Sequence, residues 1–416
     1  MKKRLLPLIL FAFIFSCGND DDVPQTEDAV CNTPTSIQAT TVGIDNADIS
    51  WSDANINATY SIEYGVTGFT LGSGTTVTSS QTNISLTGLT DNTTYQVYIK
   101  AICSASNESA NANAISFTTA PPRVVAEFLP NLSDLNLFSG DLSDLTPSQY
   151  VFEYDLITPL FSDYSSKQRL VALPDGTKMT PNGENMPDFP DNTLIAKTFY
   201  YNVDDRDTSL GKTIIETRIL LKKNGVWEMG DYVWNNAQTD AVLDNTGSNV
   251  AISYIDSDGD TQNVGYKIPS SADCIACHEI SSTKTPLGPK LRNLNANNQI
   301  QDLIANNYLE TIDASSITPL PKWDDDSGTY TIAERSRAYM DVNCATCHRD
   351  GGSCESESTL RLPYELDFAL TQIFERRLDI DTRMQSYVPN YSMPQIGTTM
   401  VHSEGYNLVR SYLNSL

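Results

Sequence analysis

The sequence predicts a multidomain β + α chain: a β-sandwich, a second β-rich domain and a mainly α-helical C-terminal region. Three observations predict it. Short runs rich in β-branched and aromatic residues recur between turn-rich stretches from residue 31 to 269. Apolar residues recur at helical spacing near the end, in Ile332 to Val342 and Glu404 to Leu416. At 416 residues the chain is too long for one small domain.

Lys2, Lys3 and Arg4 precede an apolar stretch of 12 residues, Leu5 to Ser16. A bilayer span needs about 18 or more apolar residues, so residues 1–16 read as a signal peptide. Phe15-Ser16-Cys17-Gly18 resembles the lipobox of bacterial lipoproteins, which implies cleavage before Cys17 and lipid on its thiol. Several acyl chains on one residue anchor stably where one is marginal. Asn19-Asp20-Asp21-Asp22 begins a polar tether, 17–30, and resembles the export signal of Bacteroidetes-type surface lipoproteins. The expected location is the outer membrane, lipid-anchored, facing the periplasm or the cell surface. An ordinary cleaved signal that removes Cys17 is the competing reading. The net charge of −25, from 52 acidic and 27 basic residues, argues against nucleic-acid binding. It fits a basic partner, or simply a soluble surface.

In residues 31–120 the expected strands are Ala47 to Trp51, Tyr60 to Tyr64, Thr75 to Thr78, Ile84 to Leu86, Tyr95 to Cys103 and Ala114 to Thr118. Tyr95, Val97, Ile99 and Ala101 alternate with polar or larger neighbours, as in a strand with one buried face. The run from Leu86 through Gly88 and Leu89 to Tyr95 resembles the leucine-to-tyrosine corner of fibronectin type III domains. Trp51 stands where such domains bury an early-strand tryptophan. The resemblance implies a spacer or adhesion module without chemistry of its own. Pro121-Pro122 closes it stiffly.

Residues 124–269 continue the β pattern, with turns at Pro174-Asp175-Gly176, Asn182-Gly183 and Asn224-Gly225. Strands are expected at Leu194 to Tyr201, Ile214 to Leu221, Val226 to Trp234, Val250 to Ile255 and Asn263 to Ile268. Asp256-Ser257-Asp258-Gly259-Asp260 is too short for an EF-hand loop and lacks its closing glutamate, so a hairpin turn is expected. Phe199, Tyr200, Tyr201, Trp227, Tyr232 and Trp234 read as core rather than as a ligand groove.

Two strings carry the chemistry: Cys274-Ile275-Ala276-Cys277-His278 and Cys344-Ala345-Thr346-Cys347-His348. Cys-x-x-Cys-His is the spacing that fastens a c-type haem. Each thiol adds across one porphyrin vinyl group, and the histidine becomes the proximal iron ligand. Two of the chain's three histidines, His278 and His348, stand in these strings. Two covalent haems c are therefore expected, on Cys274, Cys277, Cys344 and Cys347. A four-thiolate zinc knuckle competes, but its Cys-x-x-Cys pairs usually lie about 15–20 residues apart. Here 66 residues separate Cys277 from Cys344. A thioredoxin-like pair wants a βαβ context that the sequence lacks. Of eight cysteines, Cys17 goes to lipid and four to haem; Cys31 and Cys103 bracket the first domain and are the economical disulfide. Cys354 is left over, as a small apolar residue, a free thiol or an iron ligand.

The first haem segment is 270–330, and 331–416 has the outline of a small cytochrome c domain. Ile332, Arg335, Ala338, Tyr339 and Val342 mark a helix that delivers the second motif. Tyr406, Val409, Tyr412, Leu413 and Leu416 form the stripe of the last helix, with Ser403 as its N-cap. Met393, in Tyr391-Ser392-Met393-Pro394 and 45 residues after His348, resembles the distal ligand of small cytochromes c; Met384 and Met400 compete. The first motif has no room for a leading helix after the preceding strand. Its sixth ligand is left between Met179, Met229, His402 and none, though His402 reads more readily as a capping or surface residue.

Tyr154 to Tyr164 (YDLITPLFSDY), Lys197 to Tyr201, Ile215 to Arg218, Pro286 to Lys290 with Arg292 to Asn295, and Arg337 to Cys344 are distinctive segments. Together they resemble a bacterial family of predicted dihaem c-type cytochromes, some accompanying quinoprotein sugar dehydrogenase-like domains. The resemblance runs from Val124 to the end and implies electron transfer outside the cytoplasm, to an unidentified redox partner protein. A peroxidase-like dihaem enzyme, or the electron-accepting subunit of a dehydrogenase, is the alternative. Adhesion through the β domains ranks below both, because adhesion needs no haem.

Overall fold

A computed structural model describes residues 30–416. The expected signal peptide, Cys17 and all of the tether but its last residue lie outside the described residues. The chain divides after Pro122 into two compact units.

The first unit contains β1 (Thr35–Val42), β2 (Asn46–Ser52), β3 (Thr59–Val66), β4 (Thr75–Ser79), β5 (Asn83–Thr87), β6 (Thr94–Ser104), β7 (Asn107–Glu108) and β8 (Ile115–Thr118). One sheet has the order β1-β2-β5; the other runs β4-β3-β6-β7, with β8 also on β6. Along β6, Tyr95, Val97, Ile99 and Ala101 are buried and their neighbours are not, because successive side chains point to opposite faces. With Ile49, Trp51, Ile62 and Leu86 they fill the space between the sheets. Trp51 packs edge-on against Tyr60, ring centroids 5.0 Å apart. Cys31 and Cys103 are disulfide-bonded, Cα atoms 5.9 Å apart. The expected strands form within a residue or two, and the Thr- and Ser-rich β1 is an addition whose bulged register no alternation announces.

The second unit is built on a six-stranded antiparallel sheet. Its strands are β9 (Phe152–Glu153), β10 (Ser166–Ala172), β11 (Leu194–Asn202), β12 (Lys212–Lys223), β13 (Val226–Trp234) and β14 (Ala241–Leu243), hydrogen-bonded in sequence order. A separate hairpin follows, β15 (Ser248–Ile255) and β16 (Thr261–Ile268). Its turn is the Asp-rich pentapeptide, where the Asp256 carboxylate accepts the N–H groups of Asp258 (3.0 Å) and Asp260 (2.9 Å). One face of the large sheet covers Leu132, Leu135, Leu137 and Val151. The opposite face carries two apolar patches. Val171, Ile195 and Leu220 pack on helices from residues 291–317, whereas Phe199 and Tyr201 pack on the β15–β16 hairpin. One core thus crosses from the β-rich segment into the segment after residue 270. The expected core aromatics are divided among these patches, with Tyr200 half-buried and the other five buried.

Helices dominate the remainder: α1 (Ser271–His278), then a small hairpin β17 (Glu279–Ile280) and β18 (Thr283–Lys284), α2 (Leu291–Leu294), α3 (Gln299–Ala305), α4 (Ile332–Asn343), α5 (Phe368–Thr371), α6 (Ile373–Met384) and α7 (Ser403–Ser415). Among the described residues no helix is long and apolar enough to cross a membrane. Thr331 and Glu334 form a capping box at the start of α4. The α4 stripe differs from expectation: Ile332 is 47 % exposed, whereas Ser336, Met340 and Asn343 are buried, because neighbours cover more than one face. Ser403 is the first residue of α7 rather than its cap, and His402 occupies the cap position without a side-chain capping bond. Helix α7 packs on both α4 and α6. The α4 crossing depends on Gly405, where a Cβ would overlap the buried Tyr339 ring. Gly405→Ala is expected to force the helices apart and cost about 1–3 kcal/mol, read as a lower urea midpoint with an unchanged slope.

Candidate functional site

The first Cys-x-x-Cys-His string lies within α1. Ser270 and Asp273 form its capping box, so the helix begins at once after the β15–β16 hairpin. No helix leads into the motif, as expected from the short connection; the motif is itself the helix. The β17–β18 turn places Ser281 and Ser282 at φ of 50° and 62° and returns the chain onto the motif. Thr285 N–H then donates to the His278 carbonyl, and the Thr285 carbonyl lies 2.8 Å from His278 Nδ1. An Nδ1–H donating to that carbonyl leaves Nε2 with its lone pair free. Burial pushes His278 down to about 4, with the charges of Lys197 and Arg218 adding to the effect, so the ring is neutral. Burial also pushes the Cys274 thiol up to about 11.

The second string unwinds from the end of α4. Cys344 is its C-cap, and His348 N–H donates to the Cys344 carbonyl at 3.0 Å. His348 is half-buried and neutral, its pKa lowered by burial and then by Arg361 and Arg383; its Nδ1 is buried without a hydrogen-bond partner. Burial pushes Cys344 up to about 12.

These strings, 66 residues apart, meet in space. Thr346 Oγ1 donates to the Cys277 carbonyl at 2.6 Å, and Ser281 N–H donates to the Gly351 carbonyl at 2.9 Å. The thiols of Cys277 and Cys347 are close enough to perturb each other, which raises the pKa of the first and lowers that of the second. Cys354 is half-buried beside Cys347, also within hydrogen-bonding reach of it. Among the described residues no three or more His, Cys, Asp or Glu side chains are grouped to hold a bare metal ion. A thioether-bound porphyrin asks for something else: two cysteines about a helical turn apart and a histidine with a free ring nitrogen. Both strings provide that donor set.

The segment Tyr154 to Tyr164 holds this region together. Asn293 Oδ1 accepts from Thr158 N–H at 2.9 Å while its Nδ2 donates to the Thr158 carbonyl at 3.1 Å. Thr158 Oγ1 reaches the Pro321 carbonyl at 2.8 Å, and Asn343 Oδ1 accepts from Phe161 N–H at 2.9 Å. Asp163 accepts from the N–H and hydroxyl of Thr399. The distinctive motif residues are therefore struts between the sheet, the first motif's loop and the C-terminal helices.

The other candidates separate clearly. Met393 N–H donates to the Arg383 carbonyl at 2.9 Å, and Arg383 is one of the two arginines, with Arg361, whose charge reaches His348. Met384 is buried in the helical core, and Met400 packs with the β15–β16 hairpin. Met179 is 2 % exposed within another core. His402 is not a surface residue: its ring stacks on Phe161 at 4.2 Å, and its Nδ1 lies 3.0 Å from Tyr339 Oη. Met229 lies on β13, the strand against which α1 packs.

In the first unit, Tyr95 Oη accepts the N–H of Thr90 at 2.9 Å, closing the corner between β5 and β6 over buried Leu86 and Leu89. The family model described as "Fibronectin type III domain" matches residues 32–117. Residues 32–117 are a fibronectin type III domain. No curated protein matches the chain. Similar solved structures include one titled "Myokine structure", 17 % identical over 22 % of this chain and 98 % of that one, TM-score 0.20. Another is the fibronectin type-III domain of human fibronectin type III domain containing protein 3, 20 % identical over 24 % and 94 %, TM-score 0.21. A computer-redesigned β-sandwich is 28 % identical over 22 % and 96 %, TM-score 0.19. Within the fibronectin type III domain, Tyr95→Phe would leave the Thr90 N–H without its acceptor. A loss of about 1–3 kcal/mol is expected, measured as a lower midpoint of the domain's own unfolding transition.

Proposed function

We propose that this chain is a lipid-anchored electron-transfer protein outside the cytoplasm, carrying two covalent haems c. Cys274 and Cys277 would hold one, with His278 as its proximal ligand; Cys344 and Cys347 would hold the other, with His348. The observation that carries the proposal is the contact between the two motifs through Thr346 and Cys277. Haem supplies a one-electron couple, and adjacent attachment points suit passage of an electron from one centre to the next. The neutral, largely desolvated imidazoles favour iron ligation over proton chemistry. Met393 is the distal ligand we assign to the second haem, whose thioether would raise its potential. Helices α4 and α7 would wall this haem in the manner of small cytochromes c. The anchor is Cys17, in the outer membrane, with the chain facing the periplasm or the cell surface. The −25 charge suits a basic redox partner.

The experiment is a haem count on the mature protein. Two c-type haems per chain are expected by alkaline pyridine spectroscopy, with haem staining that survives denaturing gels. A colourless protein from cells competent in haem c maturation overturns the proposal.

One observation favours a second reading, a peroxidase-like enzyme or electron-accepting subunit. Met179 is enclosed in a core and the His402 ring is engaged by Phe161 and Tyr339, which leaves Met229 or an open position for the first iron. A high-spin fraction that binds cyanide would favour the enzyme. Two low-spin haems inert to cyanide and peroxide would exclude it.

A further inference from the structure

Arg169 on β10 is the direct cross-strand partner of Lys197 on β11, and Lys197 is that of Arg218 on β12. Asp231 on β13 completes the row. Directly opposed residues point to the same side of a sheet, so three cations stand side by side on one face. Lys167, two positions from Arg169, points the same way. Among the described residues, only Arg218 of the three is in an ion pair, with Glu216. Arg169 is 6 % exposed, yet its side chain makes no hydrogen bond or ion pair among the described residues, and its Nε is buried without a partner. Lys197 likewise makes neither; its ammonium lies 4.8 Å from the centre of the Phe199 ring. Lys167 Nζ donates to the Ser165 carbonyl at 2.8 Å and lies 5.9 Å from the centre of the Phe199 ring.

Like charges opposed across a ladder repel, and a buried charge without a partner is costly. Burial, reinforced by the neighbouring cations, pushes Lys197 well below the ordinary lysine range and Lys167 down to about 7. The row therefore calls for an anion. Its surroundings say what kind. On one side along the face Val171, Ile195 and Leu220 are packed under the helices of residues 291–317, and on the other Phe199 is packed under the β15–β16 hairpin, so the row lies between two apolar patches where an anion would be held away from water. Helix α1 packs on β13 beside this row, and the charges of Lys197 and Arg218 are felt at His278.

The geometry points to a carboxylate site formed by Arg169 and Lys197, assisted by Lys167, that holds the propionates of the porphyrin attached at Cys274 and Cys277. The inference rests on the haem reading above and adds to it the side chains that fix the polar edge of the first haem. Free carboxylate ligands share this chemistry, and the test separates the two sources.

The test uses the holoprotein. Haem stoichiometry is measured first, and a wild-type protein without haem overturns both readings together. With two haems present, Arg169→Gln and Lys197→Met are compared with the charge-conserving Arg169→Lys and Lys197→Arg. The expected result is a shift of the propionate bending band to lower frequency in the resonance Raman spectrum. The midpoint potential of one haem falls with it, because losing a nearby cation favours ferric iron, and the other haem is unmoved. The charge-conserving variants restore most of both signals. Lys197→Met carries the test by itself if Arg169→Gln does not accumulate. Two retained haems with unchanged band and potentials overturn this inference and leave the haem reading standing. Calorimetric binding of acetate to wild type, lost in the neutral variants while the Raman band stays fixed, also overturns it and assigns the site to a free ligand.

Discussion

Replacing Cys274 and Cys277 together with alanine is expected to remove one of two covalent haems, and replacing Cys344 and Cys347 the other. The four-cysteine variant should be colourless. Each thioether requires its own sulfur, and the histidine alone holds haem only by coordination, which denaturing gels break. The contact of Thr346 with Cys277 adds a second expected result. Loss of either haem should shift the midpoint potential of the survivor, because a charge-changing centre then no longer lies beside it. Haem-stained gels and potentiometric titration read both effects. Covalent haem surviving in the four-cysteine variant would refute the attachment sites.

The largest loss of stability is expected at Glu216. Its carboxylate is fully buried, ion-paired with Arg218, and accepts the Tyr266 hydroxyl at 2.5 Å. Asp231 lies beside it, its pKa raised well above the usual carboxylate range by burial and then by the Glu216 charge. Removing Glu216 leaves Arg218 as a further uncompensated cation in a row that already has Arg169. Breaking a buried pair on one side typically costs about 3–5 kcal/mol, which is the expectation for Glu216→Leu. Glu216→Gln keeps the shape and the tyrosine contact but not the charge, and a loss of about 1–3 kcal/mol is expected. Urea unfolding of the two variants separates charge from packing. A Glu216→Gln midpoint equal to wild type would show that the pair contributes nothing net.

Some elements were legible because their signal is local. The β6 alternation, the corner from Leu86 to Tyr95 and the Asn224-Gly225 turn need only neighbouring residues to be read. Strand β10 was missed for an equally physical reason. Lys167 and Arg169 occupy inward positions that a half-buried strand normally fills with apolar residues, so the pattern reads as polar. The β17–β18 turn was missed because Ser281 and Ser282 adopt positive φ, which glycine or asparagine usually signals. Helix α1 carries a capping-box signal in Ser270 and Asp273, a local cue that is legible in the sequence. His402 looked like a surface residue because its aromatic neighbours, Phe161 and Tyr339, are distant in sequence.

The sequence by itself determined two Cys-x-x-Cys-His strings, their spacing, and a separate fibronectin type III module ahead of them. Spacing within five residues is a covalent fact, and no fold can alter it. Only the tertiary structure decided that the two strings touch, that Tyr154 to Tyr164 braces them, and that Arg169, Lys197 and Arg218 line up on one face. Those facts depend on strand register and on long-range packing, where a shift of one residue would turn every cation in the row to the opposite side of the sheet.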